Sequence, residues 1–567
     1  MNNHFSLSRD VSRRAVLGGA GAAVLAGCAR IPNSSDVHTA PVKGIGLGAQ
    51  GNAAVAPPDQ GATKIDIVRG FLAAHLGVDD GNRIAREYLA GNAREAWNPS
   101  TAIEFAESEG LVFQERQGDT VAVTVPVVSK VSATGARTTN LEATRELAQF
   151  RLTEVDGEWR IAEAPDALVL GAEDFARLYE PVNVYFVANA GNMIVADPRW
   201  FMRQTTFASA FNRLALGPAP YLKGAVRSAL HEGIVIASSA LSRNEAGDLL
   251  VQTPVSVLEL PESERALALA QISETLRSVK RVSSVIFMNG SEKVSVAPET
   301  HPMKASVGHR LYGSGDSGII SLASDTGGAS LVPAFASETV RCGRVSLRGR
   351  YASAVSLDRR ELLVSALTTK AEVRRETFGE ALCSPSIDQF GYAWTMPEAG
   401  GPELLAVHPD PERAVRKFAV VWESTEDVAF TSMSTDGVRF AIAHGVPGAL
   451  TLSIMGIVRE PDGTPTGLAE PLQVSVALDS VQGIAWYSEE SILLWGASGA
   501  SAMPVAIAWS LRTGFEQVSE LRENTTSVAG SSEARLLFVG SDDGQVVERT
   551  VDSWAHIDAR GRDIALY

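Results

Sequence analysis

Five times after residue 350 the chain repeats one loose unit: small and apolar residues, a Ser or Thr, an acid, often a Gly, and then an apolar strand. The copies are SAVSLDRRELLVSA (353–366), CSPSIDQFGYAWTM (383–396), TSMSTDGVRFAIAH (431–444), IAWYSEESILLWGA (484–497) and SVAGSSEARLLFVG (527–540). Between Asp358, Asp388, Asp436, Glu489 and Glu533 the spacings are 30, 48, 53 and 44 residues. Most lie near the roughly 40–50 residues of a four-stranded propeller blade. Residues 305–567 are therefore expected to form an all-β propeller of five or six blades. Acid and Gly together suit hairpin turns. One carboxylate per blade is not a cluster, so these acids are not assigned to a metal.

The rest of the 567 residues is too long for a single further core. Over 63–172 the pattern reads as helices followed by strands. Ile67, Phe71, Leu72 and Leu76 recur at helical spacing, as do Ile84, Tyr88 and Leu89. Alternation follows in VAVTVPVV (121–128), and a hairpin is expected about Val155-Asp156-Gly157. This order resembles the cone-shaped NTF2-like α+β fold. Asp79, Asp80 and Glu87 fall in turns or on helix faces and read as solvated carboxylates.

Residues 180–298 read as a second α+β unit. VNVYFV (182–187), GIVIAS (233–238) and DLLVQT (248–253) read as strands, and VSSVIFMNG as a closing strand. Helices are expected through Phe207–Leu216, stopped by Gly217-Pro218, and from Glu262 to Arg281. The opening VYF strand, Leu216-Gly217-Pro218 and the helix carrying Ala270-Gln271 and Thr275-Leu276 resemble the GerMN domain of spore-germination and envelope proteins. No catalytic role comes with that resemblance.

The N-terminus gives the one strong chemical expectation. Arg13-Arg14 precede the thirteen-residue apolar run AVLGGAGAAVLAG (15–27), too short to span a bilayer but suited to a signal peptide. Its order resembles a twin-arginine export signal, with Sec export as the alternative. Leu25-Ala26-Gly27-Cys28 resembles a bacterial lipobox, in which cleavage leaves the cysteine first and modified by S-diacylglycerol and an N-acyl chain. Two or more acyl chains hold a protein on a membrane where one is marginal. Residues 1–27 are thus read as a signal peptide, Cys28 as the lipidation site, and 28–62 as a flexible tether. The tether holds a formal GxGxxG (46–51), but no strand precedes it, so it is not read as a phosphate loop.

Net charge and motifs narrow the function classes. The formal charge is −16, and −18 once residues 1–27 with Arg9, Asp10, Arg13 and Arg14 are removed. That sign repels nucleic acid and anionic headgroups. Cys342 and Cys383 form an even pair in an oxidising compartment; a disulfide and two buried thiols are the alternatives. Gly315-Asp316-Ser317-Gly318 matches the tetrad around a trypsin-like nucleophile, but His301 and His309 lack the setting a triad needs, and Ile319 replaces a family Gly. His231-Glu232 lacks the second histidine of a zinc-protease helix. No catalytic residue, metal or cofactor is assigned.

A lipobox, an NTF2-like unit, a GerMN-like unit and a propeller occur together in the LpqB-type lipoproteins of actinobacteria. The segments LAGCARIPNSS and AREYLAGNAREAWNPS (85–100) carry that resemblance most specifically. It implies a non-enzymatic protein lipid-anchored on the outer face of the cytoplasmic membrane. It implies binding to the sensor domain of a two-component histidine kinase of the MtrB type, with effects on envelope homeostasis and division. The rival expectation is an envelope glycan-binding protein or hydrolase, using the NTF2-like cone or a propeller face.

Overall fold

A computed structural model describes residues 55–566, apart from 78–80, 107–109, 296–301, 324–327, 369–370, 399–402, 421–429, 500–502 and 552. The first unit opens with the helix Lys64–Ala73. Thr63 caps it by accepting the Asp66 amide, and Asp66 complements the helix dipole in the first turn. Its stripe Ile67, Val68, Phe71 and Leu72 is buried against a six-stranded, mostly antiparallel sheet. The expected hairpin is present: strands Arg137–Val155 and Glu158–Glu163 are joined by Asp156 and Gly157 at φ 53° and 81°. Two successive positive φ values make this the turn whose twist matches the flanking strands. The second expected helical stripe is shorter than its periodicity suggests. Helix Arg83–Glu87 ends before Tyr88, and Leu89 bridges to Ile161 of the sheet.

The second unit has two four-stranded sheets. One pairs Tyr179–Ala188 with Met193–Met202, flanked by Val226–Arg227 and by Met303–Lys304, so this sheet draws on residues beyond 298. The other holds Leu241–Arg243, Leu249–Gln252, Val285–Asn289 and Glu292–Lys293. Helices Thr206–Ala215 and Glu262–Arg277 pack on them. The latter stops at Arg277 rather than Arg281, where the Ser278 hydroxyl turns to the backbone of Asn183. GIVIAS is not a strand. Ile234 and Ile236 are buried and Val235 is exposed, which produces the strand-like alternation. The Asn212 side chain instead pairs with both backbone groups of Ile236, replacing a neighbouring strand.

The C-terminal unit is a ring of six sheets. Strands are designated A to D outward from the axis. Blades two to six run A to D in chain order, with A strands Arg341–Val345, Ser386–Ile387, Phe430–Met433, Ser480–Trp486 and Thr525–Ser531. Blade one is closed by the chain's end: Arg562–Leu566 supplies its A strand beside Leu311–Gly315 and Gly318–Ser321. Each A strand touches the next around the full ring. The mixed α/β N-terminal half followed by a propeller agrees with the expected fold class.

The odd spacing of 30 in the repeat has a structural cause. Four copies lie at A–B turns of blades three to six, whereas SAVSLDRRELLVSA spans the B–C turn of blade two. The A–B turn of blade two is Ser346–Arg350, with Arg348 where the others carry an acid. The shared serine also has a reason. Ser346, Ser356 and Ser434 each accept the amide five residues on, at 3.1, 3.0 and 2.9 Å, closing the turn.

Candidate functional site

Antiparallel strands alternate ends, so A–B and C–D turns share one end of the ring and B–C and D–A turns the other. The GerMN-like unit sits on the A–B end. Gly191 approaches Gln389 and Phe390 of blade three, Tyr185 donates to Glu489 of blade five at 2.6 Å, and Arg348 of blade two meets Met303. Blade four comes closest. A Cβ at Gly456 would lie 2.7 Å from Ala225 Cβ and 2.9 Å from the Tyr221 carbonyl, so only glycine admits this approach. One apolar core runs without interruption from Val182, Phe186 and Phe211 through Leu222 to Leu452, Ile454 and Trp509.

Three buried arginines pair with buried acids, two of them at propeller turns. Asp388 is 2% exposed and accepts the amides of Phe390 and Tyr392, the Trp394 indole and, at 2.6 Å, the Arg459 guanidinium. Asp436 pairs with Arg439, which donates to the backbone of Glu489 and Ala196 and lies over the Trp486 ring. Asp197 pairs with Arg199 at 2.7 Å, and Arg199 reaches Thr134 of the N-terminal unit. Asp388 and Asp436, expected to be turn residues, are thus also counter-ions. None of the arginines was singled out from sequence. The available signal was an Arg inside an otherwise apolar strand, two or three residues after an Asp, as in VADPRWF and STDGVRF.

Around the ring axis lies a cavity of about 520 Å³, lined by the A strands. Arg341, Arg344, Asp563, Gln389, Gln482 and Trp486 are among its walls. Arg341 binds Asp563 at 2.8 Å, which with the Cys342 amide holds that carboxyl below its usual range despite burial.

The other expected residues are placed as follows. Cys28, the GxGxxG, Asp79, Asp80 and His301 lie outside the described residues. Glu87 pairs with Arg83 on its own helix at 2.7 Å. Cys342 and Cys383 are both buried, and burial pushes both thiols up. Gly315-Asp316-Ser317-Gly318 is the hairpin turn of blade one; Gly318 has φ 78°, and a Cβ there would meet the Phe335 carbonyl at 2.4 Å. Among the described residues no three His, Cys, Asp or Glu side chains gather to hold a metal.

His75 was not anticipated. It is 1% exposed, stacked on Trp97, and its Nδ1 accepts the Val169 amide. Burial lowers its pKa to about 3, so it is neutral near pH 7.

Comparison with known proteins follows the same divisions. Residues 57–176 match the model of the lipoprotein LpqB N-terminal domain, 183–294 a sporulation and spore germination domain, and 320–563 the lipoprotein LpqB β-propeller domain. Lipoprotein LpqB of Streptomyces avermitilis is 25% identical over 96% of both chains. That of Cutibacterium acnes is 28% identical over 50% of this chain, and the match spans 48% of that relative's length. Among solved structures, the Cps50 (Swd1) β-propeller domain of Myceliophteria thermophila covers 45% of this chain and 86% of its own, with TM-score 0.32 and 9% identity.

Proposed function

The chain belongs to the LpqB lipoprotein family, and from that premise we propose that it is a lipid-anchored, non-enzymatic regulator on the outer face of the cytoplasmic membrane. Anchoring falls to Cys28. Among the described residues no helix is long and apolar enough to cross a membrane. The partner is the extracytoplasmic sensor domain of a two-component histidine kinase, and the effect is on envelope homeostasis and division.

One observation supports a particular docking face. The A–B end of the propeller carries the GerMN-like unit, whereas the B–C turns of blades two, four and five carry Leu357, Val446 and Met503, exposed by 59%, 44% and 36%. Exposed apolar side chains gathered on one end suit a protein interface. Photo-crosslinkers at Leu357 and Val446 in intact cells are expected to capture a sensor kinase, while one at Val551, on the C–D side, is not. Capture only from Val551, or retention of peptidoglycan fragments with no kinase, would reject this reading. For the anchor, Cys28→Ala is expected to abolish palmitate labelling and release the protein from membranes; retention of both would reject lipidation at Cys28.

A further inference from the structure

Among the described residues three guanidinium groups stand on the wall of the axial cavity, and two of them are paired. Arg341 is bonded to both oxygens of Asp563, and Arg359 to both oxygens of Glu398. The other carboxylate on the wall, Asp388, is held by Arg459. Arg344 donates only to backbone carbonyls and has no carboxylate partner among the described residues. In a chain of formal charge −16, the cavity thus carries one unmatched positive charge.

That charge is held in place. Arg344 Nη1 donates to the Gly343 and Asp563 carbonyls at 2.8 and 3.2 Å, which fixes the guanidinium across the seam between blades two and one. Nε and Nη2, the fork with which Arg341 takes Asp563, have no acceptor among the described residues. The side chain is half-buried, and unlike Nε of Arg199, Arg439 and Arg459 its fork is not sealed in protein. Such a planar fork matches a carboxylate or phosphate through two parallel hydrogen bonds.

The backbone around the axis is irregular on the same side of the ring. The A strands of blades five, six, one and two each carry a bulge near their start, at Gln482, Thr526, Asp563 and Cys342. All four residues line the cavity, and Cys342 and Asp563 take φ of 52° and 51°. Bulges re-aim side chains and gather near functional sites, as do non-glycine residues at positive φ. Gln482 and Thr526 are exposed, and an amide and a hydroxyl there can each pair with a ligand hydroxyl. The volume of about 520 Å³ falls inside the range of ligand pockets, about 300–1,000 Å³.

We infer that the axial cavity binds a small hydroxylated anion. Its carboxylate or phosphate takes the Nε–Nη2 fork of Arg344, and its hydroxyls face Gln482 or Thr526. This site is separate from the exposed apolar turns assigned to kinase docking, and its test does not depend on them.

The test is calorimetric titration of the purified full-length protein with gluconate and glycerol 3-phosphate, and with their uncharged counterparts sorbitol and glycerol. At least one anion is expected to bind saturably, and its uncharged counterpart about tenfold more weakly or not at all, because the charge-assisted pair is lost. Tighter binding of gluconate makes carboxylates the source; tighter binding of glycerol 3-phosphate makes it phosphate esters, and both uphold the site. Arg344→Gln is expected to weaken the bound anion by about tenfold or more. Because Arg344 also holds two carbonyls, Gln482→Glu decides if that variant does not fold. Its side chain is exposed, so the fold is unchanged, and the added carboxylate is expected to weaken the anion by about threefold or more. No saturable binding of either anion, equal binding of the uncharged counterparts, or full affinity in either folded variant would overturn the site.

Discussion

The N-terminal unit and the GerMN-like unit match domain models of similar length, yet they are held in different ways. The first closes its own core, from Ile67 and Phe71 through Phe150 and Ile161 to Tyr179. The second has no core to itself, because its apolar face and those of blades four and five form one cluster. A recognisable domain is therefore not always a unit of stability. Where two sheets share buried side chains, neither can open without exposing the other's apolar surface.

The strongest way to break this comparison is excision. Residues 55–178 expressed alone are expected to give a cooperative thermal transition. Residues 180–304 alone are expected to aggregate or melt without cooperativity, since Leu222 and Ala225 lose their cover. A well-folded 180–304 fragment would refute the shared-core argument. Next comes Asp436→Ala. It leaves the Arg439 charge buried and unpaired, at a cost of about 3–5 kcal/mol. Denaturation followed in the intact chain should show the GerMN-like unit and propeller destabilised together, with the N-terminal unit unchanged.

Acid should act on the other side of the comparison. His75 has a folded pKa of about 3 against about 6.5 unfolded. Below pH 6.5 the unfolded chain binds the extra proton, so the contribution of neutral His75 is whole above that pH and is lost progressively towards pH 3. At about 1.4 kcal/mol per pH unit, the N-terminal unit should lose about 3 kcal/mol between pH 7 and pH 4. In His75→Phe this slope should flatten, while stability at pH 7 falls by about 1–3 kcal/mol because the Val169 amide loses its acceptor. An unchanged slope would remove His75 from the account.

Much of the fold was legible because local pattern and final environment coincide. Period-two alternation in 121–128 marked the strand Thr120–Ser132, and Asp156-Gly157 marked a turn that needs positive φ. Ile234 and Ile236 misled because burial alternates there without a neighbouring strand. The repeat was visible but its frame was not: Asp358 and Asp388 have similar sequence surroundings, and only strand pairing separates B–C from A–B. The lipobox-like stretch ending at Cys28 is contiguous, so an anchor could be proposed from sequence alone. The meeting of Asn183, Lys304 and Glu489 could not. Asn183, Lys304 and Glu489 are far apart in the chain, and nothing in the neighbours of any one of them announces the other two.

The smallest effect tests the seam that does not involve the GerMN-like unit. Blade one is closed by the chain terminus, with Arg341 of blade two bonded to Asp563 of the last strand. The Arg341 side chain is 39% exposed, so solvent screens the pair, unlike Asp436–Arg439 at 3% each. Arg341→Met should therefore cost only about 1 kcal/mol, and raised salt should shrink that difference further. The Cys342 amide still donates to Asp563 in the variant, so the strand keeps one tie. A loss as large as that of Asp436→Ala would mean that the propeller's closure, rather than its junction with the GerMN-like unit, sets the stability of this half of the molecule.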